Sequence, residues 1–129
     1  MRNETMLAQF ENGTVAGIAA RKTAELPWNP HSVYPGVFLK HLLTGEETGG
    51  GLSCHLVRIE PGCKLLDHEH PGKLEVHQVL EGLGDCRVNG TPIPYRSGTV
   101  AMMPADTIHC VEAGAAGLVI LAAFAPALL

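Results

Sequence analysis

The stretch Gly62–Gly82, GCKLLDHEHPGKLEVHQVLEG, concentrates the residue types that bind metals and move protons. Alternate residues of a strand share a face, so His68 and His70 project one way and Asp67 and Glu69 the other. Pro71-Gly72 has the form of a type II turn, with proline second and glycine third, and folds Leu74–Glu81 back alongside. Glu75 then comes to lie beside the two imidazoles, provided its strand turns the same face inward. Two imidazoles and a carboxylate meeting at one point bind a divalent metal, with donor softness suited to Fe, Mn, Co, Ni, Cu or Zn. A fourth ligand must come from elsewhere. His109, which follows a second turn at Pro104–Thr107, is the best placed of the remaining histidines.

These residues resemble the cupin family. The first cupin motif, G-x5-H-x-H-x3–4-E-x6-G, is met without departure at Gly62, His68, His70, Glu75 and Gly82. The second, G-x5-P-x-G-x2-H-x3-N, is met at Gly98, Pro104 and His109, with Asp106 in place of the glycine and Ala113 in place of the asparagine. Aspartate tolerates left-handed backbone better than most residues, so the turn is expected to be kept. Ala113 is not a ligand position, and its departure touches packing. The resemblance implies an all-β, single-domain cupin β-barrel, a double-stranded β-helix or jelly roll of two antiparallel sheets. It also implies a metal held by His68, His70, Glu75 and His109, with one or two coordination positions left for water, substrate or dioxygen.

His77 sits two residues beyond Glu75 and shares its face. It reads as a general base, a donor behind a ligand, an alternative ligand, or a core histidine satisfied by a backbone carbonyl. As the catalytic candidate, His77 is the first choice for moving a proton. His55 lies in an alternating strand whose inward face the sequence does not reveal, and His41 and His31 read as bland. Parity places Asp67 and Glu69 outside, and turns Cys110 away from its neighbour His109, against a Cys–His dyad. Tyr95 and Trp28 border the cavity mouth or cover core edges. Met102 and Met103 read as core filler.

To position these residues the chain offers short strands separated by turn residues, the pattern of a sandwich or barrel. Expected strands are Thr14–Ala20, Gly36–Leu43, Leu52–Glu60, Cys63–His70, Leu74–Glu81, Asp85–Val88, Thr99–Met103, His109–Ala113 and Leu118–Phe124. Asn89-Gly90 is a type I′ hairpin signal, since both central positions need positive φ. Gly82–Gly84 reads as a turn, and the Gly-rich Thr44–Gly51 as a loop. The whole chain, 1–129, is expected to be one domain, with its motif core at 62–113 and an N-terminal strand and extended loop over 1–35. Leu26–Pro35, with three prolines, is expected to pack on the outside.

Length and charge limit the function classes. The 129 residues suit one core, and 13 acidic against 9 basic side chains leave a formal charge of −4. A mildly acidic chain without a basic run is a poor partner for nucleic acid or an anionic membrane. Glycine and proline make up about 19% of the chain against roughly 12% in average usage, spaced as punctuation, which argues against long helices. The uncharged segment Ala113–Leu129 is interrupted by Gly114, Gly117 and Pro126, so a final core strand is expected there and not a membrane anchor. Met1–Phe10 has no apolar run and reads as no secretory signal, and four cysteines without a CxxC pair fit a reducing compartment, so the cytoplasm is expected. A homodimer through sheet faces is expected from family habit and from the apolar surplus in Leu118–Leu129.

The leading functional expectation is a metal-dependent enzyme acting on a small organic molecule, either an oxygenase or a lyase or isomerase, with a metal-bound substrate. The competing one is a non-catalytic ligand-binding or sensory module with a structural metal. A third is a subunit that docks on another protein through Leu26–Pro35. No basic or aromatic cluster advertises a nucleotide, a long sugar or a phosphorylated ligand.

Overall fold

Two long strands organise the molecule, and glycines let each of them serve two sheets. The computed structural model describes residues 5–17 and 20–129. Helix α1 (Met6–Glu11) is followed by β1 (Thr14–Val15), β2 (Arg21–Lys22), β3 (Asn29–Pro30), β4 (Val37–Leu43), the single-turn α2 (Gly45–Thr48), β5 (Ser53–Ile59) and β6 (Lys64–His68). The remainder is strand: β7 (Leu74–Val88), β8 (Thr91–Arg96), β9 (Val100–Met103) and β10 (His109–Ala125). The late half of β10 pairs with β5 and with the early half of β7, which carries β9 on its other edge. The early half of β10 pairs with β6 and with the late half of β7, which carries β8. The result is two antiparallel sheets sharing two bent strands, the expected single-domain jelly-roll barrel.

The bends fall at Gly82–Gly84 in β7 and across 113–118 in β10, where the register between the strands shifts. A Cβ on Gly82, whose φ is +90°, would collide with the carbonyl oxygen of Gly117, so only glycine allows the two bends to nest. Gly82–Gly84 is therefore a kink inside β7 and no turn, and each of two expected strand pairs is one continuous strand. The β8 strand, TPIPYR, was absent from the expectation because proline cannot donate to a ladder. Pro92 and Pro94 have the same parity on an edge strand that pairs only with β7, so neither occupies a donor position the sheet needs.

The N-terminal region also differs from expectation. Thr5 caps α1 by accepting from the Ala8 amide (3.0 Å), and six residues are too few for helical periodicity to declare itself. The strand expected over Thr14–Ala20 shrinks to Thr14–Val15, paired with Arg21–Lys22; Ile18 and Ala19, like residues 1–4, lie outside the described residues. The turn chemistry holds. Asn89 and Gly90 have φ of +50° and +82°, Gly72 +71°, and Asp106 takes the left-handed conformation at +62°.

Two apolar layers flank the shared sheet. Inside the barrel Val57, Ile59, Val111, Leu118, Ile120 and Phe124 pack with Tyr95. Outside it Leu42, Leu56, Leu80 and Val119 pack beneath Leu7 and Val15, with Phe10, Trp28 and Leu121 around them. Alternate residues of β10 therefore serve both layers. Much of the apolar surplus at the end of the chain, Leu118, Val119, Ile120, Ala122 and Phe124, is buried within the chain itself, and it is not by itself grounds for a dimer. Met103 is core, as expected, but its neighbour Met102 is 55% exposed. No helix among the described residues is long and apolar enough to cross a membrane.

Candidate metal centre

β6, the Pro71-Gly72 turn, the start of β7 and the start of β10 bring one carboxylate and four imidazoles to one end of the barrel; β6 pairs with β10 and not, as a hairpin would, with β7. His68 closes β6, His70 follows it before the Pro71-Gly72 turn, Glu75 and His77 face inward from β7, and His109 opens β10. The turns that carry them are tied together, because Asp106 Oδ1 accepts from the Gly72 amide at 2.9 Å. The residue that departs from the expected glycine thus links the two motifs.

Two of the rings are oriented by backbone carbonyls. His68 Nδ1 lies 2.6 Å from the Leu66 carbonyl and His109 Nδ1 3.0 Å from the Thr107 carbonyl. A carbonyl only accepts, so both Nδ1 atoms donate and both Nε2 atoms keep a free lone pair. The ligand atoms of His68, His70 and His109 lie within 4.8 Å of one another, a group that could hold a metal ion. Glu75 Oε1 approaches to 3.0 Å from His109 Nε2 and 3.6 Å from His70 Nε2. The first of these is an ion-pair distance without the alignment of a hydrogen bond. Glu75 Oε1 and His109 Nε2 are accordingly buried polar atoms with no hydrogen-bond partner. Leaving two such atoms orphaned costs about 1–3 kcal/mol each, and a cation between them relieves both at once. The donor set therefore fits a divalent metal.

The charge states agree. Burial alone would raise the Glu75 carboxyl, but the His109 and His77 contacts outweigh it and hold Glu75 well below the usual carboxylate range. Burial keeps His68 and His70 below the ordinary imidazole value, so both are neutral at pH 7. Burial also acts downward on His109, but the facing carboxylate and the Thr107 carbonyl turn its shift upward.

His77 stands behind Glu75. Its Nε2 is 2.6 Å from Glu75 Oε2 and its Nδ1 2.8 Å from the Tyr95 hydroxyl, and the ring is buried. The carboxylate must accept, so Nε2 donates; burial, and the neighbouring Cys86, push the Tyr95 phenol upward, so its O–H donates to Nδ1. Both nitrogens of His77 are thus engaged, which leaves neither free for a bound ligand. Tyr95 belongs to this chain of donors, and the sequence could not place it because its strand was hidden by prolines.

A cavity of about 60 Å³ adjoins the imidazoles, lined by His68, His70, Glu75 and His77 together with Val37, Leu39, Val57, Leu65, Ile120, Phe124 and Leu128. His31 lines it too, so the segment 26–35 does not lie wholly outside as expected: Trp28 joins the outer layer while His31 reaches the cavity. Asp67 and Glu69 are exposed, and Cys110 lies beside Asp67, on the face opposite His109. The four cysteines are free. His41 and His55 form a separate pair, described below.

The Cupin domain family model matches residues 55–123, more than half of the chain. The chain belongs to the cupin family. It is 29% identical over 56 residues to an oxalate-binding protein of Thermotoga maritima, covering 43% of this chain and 46% of that protein, so the alignment spans about half the length of the curated relative. Among solved structures it is similar to a predicted oxalate decarboxylase from Thermotoga maritima (TM-score 0.75, 25% identity, 81% of this chain and 96% of that one). It is also similar to a cupin-superfamily sugar phosphate isomerase from Silicibacter pomeroyi (TM-score 0.67, 27% identity, 79% and 72%).

Proposed function

We propose that this cupin is a metal-dependent enzyme that acts on a small organic molecule by lyase or isomerase chemistry, with His68, His70, Glu75 and His109 as ligands. The observation that carries the reading is the pair of orphaned atoms, Glu75 Oε1 and His109 Nε2, buried beside a cavity. A divalent metal bound there would supply Lewis-acid polarisation of a ligand oxygen. The chain's own residues do the rest. Nδ1 donation to backbone carbonyls aims the Nε2 atoms of His68 and His109 inward. His77 holds Glu75 Oε2, which leaves Oε1 turned to the ion, and Tyr95 fixes the tautomer of His77. His77 on this reading acts through Glu75 as a positioning residue, the donor behind a ligand among the roles its place in the sequence allowed. Decarboxylase and isomerase relatives favour this branch over an oxygenase.

A second reading, a ligand-binding module, is favoured by one observation: in the cavity both nitrogens of His77 are occupied, so no free base is evident among the ligands' neighbours. A cytoplasmic setting is kept as a proposal. So is a homodimer, for which Val100 and Met102, 65% and 55% exposed on β9, offer an outer face.

Elemental analysis of protein purified without chelator or tag metal tests the centre, with about one equivalent of transition metal expected. Turnover of small oxo and hydroxy acids by the loaded protein, without oxygen uptake, supports the lyase or isomerase. Substrate-dependent oxygen uptake by the Fe(II) form would return the oxygenase. Stoichiometric ligand binding with no turnover would establish the binding module, and no metal after reconstitution would remove the mechanism.

A further inference from the structure

The cavity lining carries information about the ligand. Seven of its residues are aliphatic or aromatic, and no lysine or arginine lines it among the described residues. At about 60 Å³ it is well under the roughly 300–1,000 Å³ of ordinary ligand sites. A ligand arm ending in a carboxylate or phosphate would be buried there without a counter-charge, and such burial is unfavourable unless the charge is paired. Apart from the proposed ligands and His77, the polar lining is His31 alone. Its Nδ1 accepts from the backbone amides of Val33 (3.0 Å) and Tyr34 (3.2 Å), so the proton is on Nε2. That N–H has no partner among the described residues. His31 also stacks near Tyr34, with centroids 4.9 Å apart, and Tyr34 lies 6.2 Å from His68.

We propose that the cavity selects a short-chain monocarboxylate bearing an adjacent oxo or hydroxyl group, with an uncharged alkyl arm against Leu39, Leu65 and Leu128 and a ligand oxygen bound by His31 Nε2–H. This rests on the metal site proposed above. It separates this chain from the sugar phosphate named for one relative, whose phosphate would lie beyond the chelating head: this lining suits one chelating head and nothing charged beyond it.

The test uses the Mn(II)-loaded full chain and follows displacement of metal-bound water by proton relaxation. 2-Hydroxybutanoate and malate are titrated in parallel, because they share a chelating head and differ in whether the arm ends in methyl or carboxylate. The expected result is a Kd for 2-hydroxybutanoate at least tenfold below that for malate, with Leu128→Lys narrowing the ratio at least threefold. His31→Asn keeps an acceptor for the Val33 and Tyr34 amides but lacks the reach of Nε2–H, and it should weaken 2-hydroxybutanoate about fivefold or more. Malate binding as tightly or more tightly overturns the inference and leaves the metal site standing. An unchanged Kd in His31→Asn overturns the role of His31. If the manganese binds but neither acid changes the relaxation, the open coordination position itself is refuted, and the ligand class falls with it.

Discussion

Two histidine groups lie on either side of one phenylalanine, and they are built on opposite principles. The Phe124 ring sits 5.0 Å from His70 and 5.7 Å from His55. On the His70 side a carboxylate is present and two buried atoms lack partners. On the His55 side the buried polar atoms are matched. His55 Nδ1 meets His41 Nδ1 at 2.8 Å, His55 Nε2 meets Ser53 Oγ at 2.8 Å, and Ser53 Oγ accepts from the Leu128 amide at 2.8 Å. Only one set of directions satisfies the buried hydroxyl: Ser53 donates to His55, and His55 donates to His41. Counting imidazoles would call both groups metal sites. Counting unmet lone pairs separates them, since a saturated chain has nothing left to give an ion.

The sharpest way to break this contrast is to remove ligands from each group. His70→Ala with Glu75→Ala should lower metal content from about one equivalent to near zero, whereas His41→Ala should leave it unchanged. Elemental analysis reads both. Full metal retention in the double variant would refute the centre, and loss in His41→Ala would make the second group a participant.

Acid should also separate the groups. Burial, reinforced by His41, lowers His55 from 6.5 to about 4. A histidine depressed in the folded state binds fewer protons than the unfolded chain, so its contribution to stability is intact above pH 6.5 and lost as pH falls towards 4. At 1.36 kcal/mol per unit the effect is about 3 kcal/mol for the ring, which is fully buried. His55→Leu should therefore flatten the fall in metal-free stability between pH 7 and 4.5 by roughly that amount, measured by urea unfolding at each pH. An unchanged pH slope would show that His55 is not the group that responds.

How much of this was legible follows from the same physics. Strand parity and the Pro71-Gly72 turn were enough to bring His68, His70 and Glu75 together, because period-2 geometry and turn chemistry are local. The second motif survived Asp106 for a local reason as well: its φ of +62° is one that aspartate tolerates. What could not be read depends on partners distant in sequence. Tyr95 is 18 residues from His77, in a strand disguised by two prolines. His55 is paired with His41 only because β4 and β5 are in register at that point. The bend in β7 looked like a turn, and the bend in β10 like a break between two strands, because a glycine that permits close backbone approach and one that reverses the chain are the same letter.

A smaller effect sharpens the role of the donor chain behind Glu75. Tyr95→Phe keeps the ring in the core but removes the proton that fixes His77. Metal should still bind, with affinity lowered about 10- to 100-fold as for other lost partners of metal ligands, and with an altered Co(II) absorption spectrum. Chelator competition measures the affinity. An unchanged spectrum and affinity would reduce Tyr95 to packing.

The smallest effect belongs to the saturated group. Ser53→Ala removes the hydroxyl that serves both the Leu128 amide and His55 Nε2, in a position with no exposed surface. Two polar groups lose a partner, but Leu128 is only partly buried, so water can reach the freed amide more easily than in the barrel. The cost should therefore sit near the lower end of the range for unmet groups, about 1–2 kcal/mol. Metal content should not change, which is what distinguishes this serine from Tyr95. Amide exchange at Leu128 should rise at least tenfold, because the bond that protects it is gone while the neighbouring Ala127 amide still donates to the Gly50 carbonyl at 3.0 Å. If metal affinity fell together with Leu128 protection, the two histidine groups would be coupled through the tail, and the partition at Phe124 would not hold.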